Sequence, residues 1–155
     1  MFEILIRSAI LADHATIVRF NLQLADESEG LTLDQPTVER GVRAALEDQQ
    51  KGRYLVACCG KEVIGQLMVT REWSDWRDGV IWWVQSVYVD PRHRHQGVFR
   101  KLFATLQAEA ESRPDVVGIR LYVERDNSAA QHVYERLGLV DSGYHVLEQM
   151  FPKTK

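Results

Sequence analysis

The feature that most constrains the fold is a strand that continues through a single glycine turn into a helix, within residues 80–106. The strand part, VIWWVQSVYVD, is apolar on both faces over residues 80–84, which is typical of a central strand covered on both sides. Beyond the turn RHRHQG, the apolar residues Val98, Leu102 and Leu106 recur at helical spacing. A buried strand followed directly by an amphipathic helix predicts a mixed α/β sheet.

The rest of the chain supplies further strands and helices around this pair. FEILIRSAI alternates like a first strand, and two amphipathic helices follow, the second beginning near Asp34 and ending at Gly52. RYLVACC and EVIGQLMVTREW form a hairpin at Gly60, and after the helix that ends before Pro114 come a strand, a helix and a last strand, YHVLEQMF. The predicted order is β-α-α-β-β-β-α-β-α-β, in one domain over residues 1–155.

Length and charge exclude several classes of protein. A chain of 155 residues suits one hydrophobic core, and its net charge of −3 argues against non-specific nucleic-acid binding, which needs a strongly basic surface. No apolar run approaches the roughly 20 residues of a membrane span. Early charges at Glu3 and Arg7 do not fit a signal peptide, so we expect a cytoplasmic protein. The adjacent Cys58 and Cys59 predict no disulfide, because neighbours in a strand point to opposite faces.

The glycine turn is suited to an anion. A helix start leaves N–H groups without intrahelical acceptors, and Gly97 lets an anion approach the backbone there. Arg92, Arg94 and Arg100 add positive charge, which favours phosphate. The turn matches neither GxGxxG nor GxxxxGK[ST], so neither a dinucleotide site nor a Walker-type site is predicted. The alternative is an ordinary helix start that merely tolerates its glycine.

Two motifs of this sequence resemble those of one superfamily. Arg94-x-x-Gly97-x-Phe99 is similar to the Q/R-x-x-G-x-G/A acyl-CoA signature of the GNAT superfamily of N-acetyltransferases, with Phe99 where Gly or Ala is usual. The segment YVERDNSAAQHVYERLGL resembles the second GNAT signature, N-x-x-A-x-x-x-Y-x-x-x-G-F. The element order predicted above is also the order of these enzymes. The positions in register in the second motif are Asn127, Ala130, Tyr134 and Gly138, with Leu139 where Phe is usual.

The resemblance implies acetyl-CoA as the co-substrate. Backbone groups of Val87, Tyr88 and Val89 would pair with the pantetheine arm, as an added strand pairs with a sheet edge. Asn127 would hydrogen-bond the pantetheine or an adjacent backbone group. The pyrophosphate would lie in the turn, whose implied cofactor-binding residues are Arg94, His95, Gln96, Gly97, Val98, Phe99 and Arg100.

The resemblance also implies catalytic roles for two residues. Tyr134 matches the position that protonates the departing thiolate, although it could equally be an amphipathic core residue of its helix. The backbone N–H of Val89 would stabilise the oxyanion. The general base is not identified from the sequence. Its candidates are Glu27, Glu29, Glu72 and Asp75, each of which could instead be a solvated surface carboxylate.

One segment, residues 72–83, combines aromatic rings with carboxylates, and we predict that it contributes to binding of the acyl acceptor. All four tryptophans lie in EWSDWRDGVIWW, and such a mixture suits a cationic amine through cation–π attraction and ion pairing. We therefore predict a small-molecule or peptide amine as acceptor, bound by Glu29, Glu72, Trp73 and Trp82. The alternative is that these rings fill the core and an oligomer interface. His93 and His95 form an H-x-H pair without further clustered ligands, so no metal site is predicted.

Three classes of function remain open at this point. The leading interpretation is an N-acetyltransferase that transfers the acetyl group directly in a ternary complex. A second is a sensor module that binds acyl-CoA without turnover, and a third is an interaction domain whose tryptophan patch binds a protein. Exposed tryptophan could also support a homodimer. The enzyme is favoured because a sensor has no need of a proton donor such as Tyr134.

Overall fold

The computed structural model describes residues 2–153, which fall into two compact units. The first unit, Met1–Tyr122, contains the sheet and three α-helices, and the described part of the second, Val123–Lys155, contains one. Short 3-10 helices lie at Leu11–Asp13 and Pro91–His93. In chain order the other elements are β1 (Ile4–Ser8), α1 (His14–Glu29), α2 (Gln35–Glu47), β2 (Arg53–Cys59), β3 (Glu62–Ser74), β4 (Gly79–Val89), α3 (Val98–Glu111), β5 (Val116–Leu121) and α4 (Ser128–Arg136).

The sheet of the first unit has five strands in the order β1-β2-β3-β4-β5. The first four pair antiparallel with their neighbours along the chain, and β5 lies parallel to β4. A parallel neighbour needs a crossover connection, which α3 provides between β4 and β5. The prediction of a mixed, mostly antiparallel α/β sheet is confirmed.

Helices cover both faces of this sheet. Successive side chains of a strand point to opposite faces, and in β2 Leu55 and Ala57 belong to the core cluster that includes α3. Tyr54 and Val56 belong to a second cluster with α1 and α2. In β4, Val80, Trp82 and Val84 belong to the first cluster and Tyr88 belongs to the second, so this internal strand has buried apolar side chains on both sides, as its sequence predicts.

The helix ends follow local sequence signals. Asp34 precedes α2, and its carboxylate accepts a hydrogen bond from the Thr37 N–H at 3.1 Å, which is the cap expected of that residue type. Gly30 ends α1 in the left-handed conformation with φ of 63°, where a side chain would be strained. None of the helices within residues 2–153 is long and apolar enough to cross a membrane.

The predicted last strand is absent. Residues 144–151, which carry the alternating sequence YHVLEQMF, form neither helix nor strand. An alternating pattern becomes a strand only when a neighbouring strand accepts and donates its backbone hydrogen bonds. Over its described residues the second unit contains α4 and no strand, so that unit offers no such neighbour. The observed order is thus β-α-α-β-β-β-α-β-α.

Candidate active site

The strand β4 is paired on both sides over only part of its length. Its ladder with β5 runs from Val80 to Val84, which is opposite Leu121 at the end of β5. Its ladder with β3 continues to Val89. Within the described part of the chain, residues 85–89 therefore have a neighbouring strand on one side only, and their other edge presents backbone N–H and C=O groups.

A β-bulge reshapes this second half of β4. Gln66 of β3 is opposite Tyr88, while Met68 is opposite Gln85, so Ser86 and Val87 together face a single residue of β3. Ser86 has a φ of 51°, in the left-handed region that residues with a side chain rarely adopt. The bulge changes the direction in which the last backbone groups of the strand point.

The last residue of β4 presents its backbone to the unpaired edge. That residue is Val89. The next residue, Asp90, donates its backbone N–H to the Ile64 carbonyl oxygen in β3 at 2.9 Å, so the backbone of Asp90 faces β3. In an antiparallel ladder alternate residues face opposite edges, so the N–H and carbonyl of Val89 face away from β3. This is the edge at which a ligand could pair with Val89.

A buried amide supports the bulge from β3. The side chain of Gln66 is fully buried, and its Nε2 donates to the Ser86 carbonyl oxygen at 3.0 Å and to Asn21 Oδ1 at 2.9 Å. Among residues 2–153 no hydrogen-bond partner for Gln66 Oε1 is present. Buried amides are costly unless bonded, so the bond to the Ser86 carbonyl stabilises the bulge, and the bond to Asn21 connects Gln66 with α1.

A buried carboxylate organises the chain as it leaves β4. Asp90 accepts hydrogen bonds from the backbone N–H of Arg92 at 2.9 Å and from its guanidinium Nε at 3.1 Å and Nη2 at 2.9 Å. These bonds, led by the one from the guanidinium, lower the pKa of Asp90 to about 2. Arg92 also pairs with Glu62. Arg92 thus holds the turn in place, in contrast to the phosphate role suggested by its position in the sequence.

The glycine turn that follows has an accessible backbone. Gly97 caps α3 with a φ of 78°, and His95 is also left-handed with a φ of 62°. A Cβ at Gly97 would meet no atom within 4 Å, so the space beside this backbone is open. The first N–H groups of α3 lie here, and together with the helix dipole they suit an anion such as a pyrophosphate.

Arg94 connects this turn with the end of α1. Its Nε donates to the Val89 carbonyl oxygen at 3.0 Å, and its Nη2 donates to Glu27 Oε2 at 2.6 Å. The guanidinium also lies 5.3 Å from the centre of the Tyr88 ring, and the Tyr88 hydroxyl donates to Glu27 Oε1 at 2.7 Å. Both carboxylate oxygens of Glu27 are therefore bonded.

These contacts set the ionisation of the group. The hydrogen bond from Arg94 holds the pKa of Glu27 below its ordinary value. Burial, followed by the hydrogen bond to Glu27, raises the pKa of Tyr88 to about 12. A carboxylate with a lowered pKa is a weak base, so Glu27 in this arrangement is better suited to charge pairing than to taking a proton.

The residues predicted for the acceptor lie in different environments. Trp73 near the end of β3 is 62% exposed, whereas Trp82 in β4 is 3% exposed and belongs to the core cluster beneath α3. Glu72 accepts a hydrogen bond from Arg120 of β5 at 2.7 Å. Glu29 is exposed at the end of α1. The structure thus presents the ring of Trp73 to solvent and buries that of Trp82.

Phe99 of the first motif and two histidines of the turn also have defined environments. The ring of Phe99 lies 5.9 Å from that of Phe103, centre to centre, so its side chain packs along α3. His93 is half-buried, and His95 is exposed. Within residues 2–153 no group of three or more metal-ligating side chains occurs.

The second unit carries the second motif. Asn127 caps α4, and its Oδ1 accepts from the Ala130 N–H at 3.1 Å. Tyr134 lies within α4, and burial raises its pKa, which keeps the phenol protonated at neutral pH. Gly138 follows the helix with a φ of 93°. This explains why Asn and Gly stand at those positions of the motif, at the start and just past the end of a helix.

Comparison with known proteins decides the family. The model of the Acetyltransferase (GNAT) family matches residues 20–139, most of the chain. The chain belongs to this acetyltransferase family. A search of curated proteins found no match.

Solved structures agree with this membership. The crystal structure of a possible acetyltransferase from Clostridium difficile 630 is 41% identical, with a TM-score of 0.91, and the match covers 97% of this chain and 99% of that one. A transcriptional regulator from Bacillus halodurans C-125 is 24% identical, with a TM-score of 0.80 and coverage of 96% and 100%. A predicted acetyltransferase with acetyl-CoA from Clostridium acetobutylicum is 18% identical, with a TM-score of 0.78 and coverage of 95% and 96%. The last two show likeness of fold alone.

The GNAT match includes both motifs found in the sequence, and the family uses acetyl-CoA. Sequence reasoning placed the phosphate turn and the end of β4 in one site, but it missed Gln66 and the hydroxyl of Tyr88. A glutamine inside the apolar run VIGQLMV is the signal that could have indicated a buried polar contact. The partner of Arg94, Glu27, was among the candidate bases, but nothing in the sequence pairs the two.

Proposed function

We propose that this GNAT protein transfers the acetyl group of acetyl-CoA to the nitrogen of a primary amine, directly, in a ternary complex. The observation that carries the proposal is the unpaired edge of β4 at residues 85–89, followed within ten residues by an open glycine turn at a helix start. An extended arm fits the first feature and a pyrophosphate fits the second. Coenzyme A has both parts.

We assign the donor site to backbone groups more than to side chains. Val87 and Val89 would pair with the pantetheine arm along the unpaired edge, with Asn127 contributing a further hydrogen bond. Tyr88 was predicted with them, but it alternates with Val89, so its backbone N–H and carbonyl face β3. When bound, acetyl-CoA supplies a thioester carbonyl as the acyl donor. The pyrophosphate would be bound by the turn residues Arg94, His95, Gln96, Gly97, Val98, Phe99 and Arg100.

The reaction forms a C–N bond and breaks a C–S bond, and this chain offers groups for both changes. The backbone N–H of Val89 would donate to the carbonyl oxygen as negative charge develops there. Tyr134 would give its phenolic proton to the leaving thiolate. Burial raises its pKa, which keeps it protonated but makes it a weaker acid, so its contribution depends on its position beside the sulfur. The amine must lose a proton to water or to a carboxylate before it attacks.

The acceptor would be an amine that is cationic in solution, either a small molecule or a peptide. Its charge is matched by the carboxylate of Glu29, which is exposed at the end of α1 near Glu27. Glu72 and Trp73 were predicted with it, but they lie opposite Ile81 and Val80, more than about 20 Å along β4 from Val89, and Glu72 pairs with Arg120. Trp82 was also predicted, but its ring is buried, so the proposal uses none of these three residues. A homodimer, a cytoplasmic location and a single domain over residues 1–155 stay predictions.

The test is thiol release from acetyl-CoA with a panel of amines. Tyr134→Phe should slow release by about 100-fold, the lower range for loss of a general acid, while acetyl-CoA still binds with the native affinity. Tyr144→Phe is the matched control, because the same change is made at an exposed tyrosine of the same unit. Binding of acetyl-CoA without release by the native protein with any amine would instead favour the sensor module.

A further inference from the structure

One side chain, Arg94, is bonded to both sides of the candidate site. Its Nε and Nη2 form one edge of the guanidinium, and this edge bonds the Val89 carbonyl and the Glu27 carboxylate at 3.0 and 2.6 Å. About 39% of the Arg94 side chain and 40% of the Glu27 side chain remain exposed. The pair is therefore within reach of a ligand in solution.

The same edge is one of the two donor pairs with which an arginine can bind a phosphate. A guanidinium presents its donors in a planar fork, and two parallel N–H groups match two phosphate oxygens. If Arg94 turned this edge to a pyrophosphate in the adjacent glycine turn, it would have to release Glu27 and the Val89 carbonyl. The carbonyl it would release belongs to the unpaired edge of β4 proposed for the pantetheine arm.

We infer that Glu27 and the pyrophosphate of coenzyme A compete for Arg94, so that binding of the donor frees the Glu27 carboxylate. This inference rests on the proposed function, since it takes the anion of the turn to be coenzyme A. Glu27 keeps its hydrogen bond from the Tyr88 hydroxyl after Arg94 leaves. The freed anion would then attract the ammonium group of the acceptor.

Competition and a merely structural ion pair predict opposite changes in the affinity for coenzyme A when Glu27 is replaced. If the ion pair must break for coenzyme A to bind, then removing it strengthens binding. Glu27→Gln should bind coenzyme A about two- to fivefold more tightly than the native protein, the range expected for a partly exposed ion pair. If Glu27 instead held Arg94 in its binding position, the same substitution would weaken binding.

The experiment is a calorimetric titration of the full chain with coenzyme A. Asp26→Asn is the matched control, because it removes the same charge from an exposed carboxylate at the same end of α1, and we expect it to change the affinity by less than about 1.5-fold in 0.15 M salt. In an Arg94→Gln background, Glu27→Gln should have no effect beyond that of Asp26→Asn. Circular dichroism would establish that each variant is folded.

The outcomes separate the inference from the proposed function. Tighter binding by Glu27→Gln, lost in the Arg94→Gln background, supports the competition. Equal or weaker binding by Glu27→Gln than by Asp26→Asn overturns the competition and leaves the donor site standing. Failure of the folded native protein to bind coenzyme A overturns the proposed function and the competition together.

Discussion

The two halves of β4 differ in their neighbours and in their roles. Residues 80–84 pair with strands on both sides, and four of these five residues are buried. Residues 85–89 pair on one side, contain the bulge at Ser86 and end at the charged contacts of Arg94 and Glu27. A strand that is paired on both sides contributes to stability, whereas the same strand without one neighbour has backbone groups that can bind a ligand.

The largest effect should come from the paired half. Trp82→Ala removes a buried ring from the core beneath α3 and should lower the free energy of unfolding by about 3–5 kcal/mol. Urea denaturation measures the change. Trp73→Ala is the matched control, because that ring is exposed, and its effect should stay within about 0.5 kcal/mol. Similar losses in the two variants would contradict the claim that burial of Trp82 in the paired half contributes to stability.

The next effect concerns the turn after the unpaired half. Gly97→Glu places a carboxylate where the pyrophosphate is proposed and should weaken acetyl-CoA binding by about 100-fold, through the loss of charge-assisted hydrogen bonds. Gly97→Ala imposes the same left-handed backbone without the charge, and it should lose less than about tenfold. If alanine weakened binding as much as glutamate, backbone strain rather than anion binding would explain the glycine.

A smaller effect concerns the carboxylate that joins β4 to the turn. Asp90→Asn loses charge-assisted hydrogen bonds from Arg92 and should lower the free energy of unfolding by about 1–3 kcal/mol at pH 7. The pKa of Asp90 is lowered to about 2, so its contribution is present above about pH 4 and is lost as the pH falls towards 2.

Urea denaturation at pH 7 and at pH 2.5 measures how the contribution of Asp90 to stability changes with pH. The difference between native protein and Asp90→Asn should shrink at the lower pH, while Asp75→Asn, at an exposed turn residue, should show no difference at either. A difference of equal size at both pH values would show that the charge of Asp90 contributes nothing to the free energy of unfolding.

The smallest effect belongs to an ion pair of the paired half. Glu72 of β3 and Arg120 of β5 are partly exposed, so Glu72→Gln should cost at most about 1 kcal/mol, and less in high salt. Thermal unfolding at two salt concentrations measures it. A loss above about 2 kcal/mol that is insensitive to salt would mean that this pair contributes as much as the core does.

Local sequence patterns were sufficient to predict most of the fold. The apolar run of residues 80–84, the spacing of Val98 and Leu102, and the cap at Asp34 each act within a few residues, and each is confirmed by the element that contains it. The glycine turn is also local, and its left-handed backbone agrees with the residue present.

Features that depend on distant residues were not predictable in this way. Arg94 and Glu27 are far apart in the chain, and only the packing of α1 beside β4 brings them together. The bulge at Ser86 has no glycine to mark it. The prediction of a strand at residues 144–151 was wrong, because an alternating pattern does not show whether a neighbouring strand is present.

The measurement that tests the account most directly is amide hydrogen exchange of the protein with and without acetyl-CoA, resolved by residue. The account predicts slower exchange on binding at Val87, Val89 and the turn residues 95–100, with no change at residues 80–84, whose hydrogen bonds are already made. Binding of acetyl-CoA without protection at the end of β4 and the turn would contradict it.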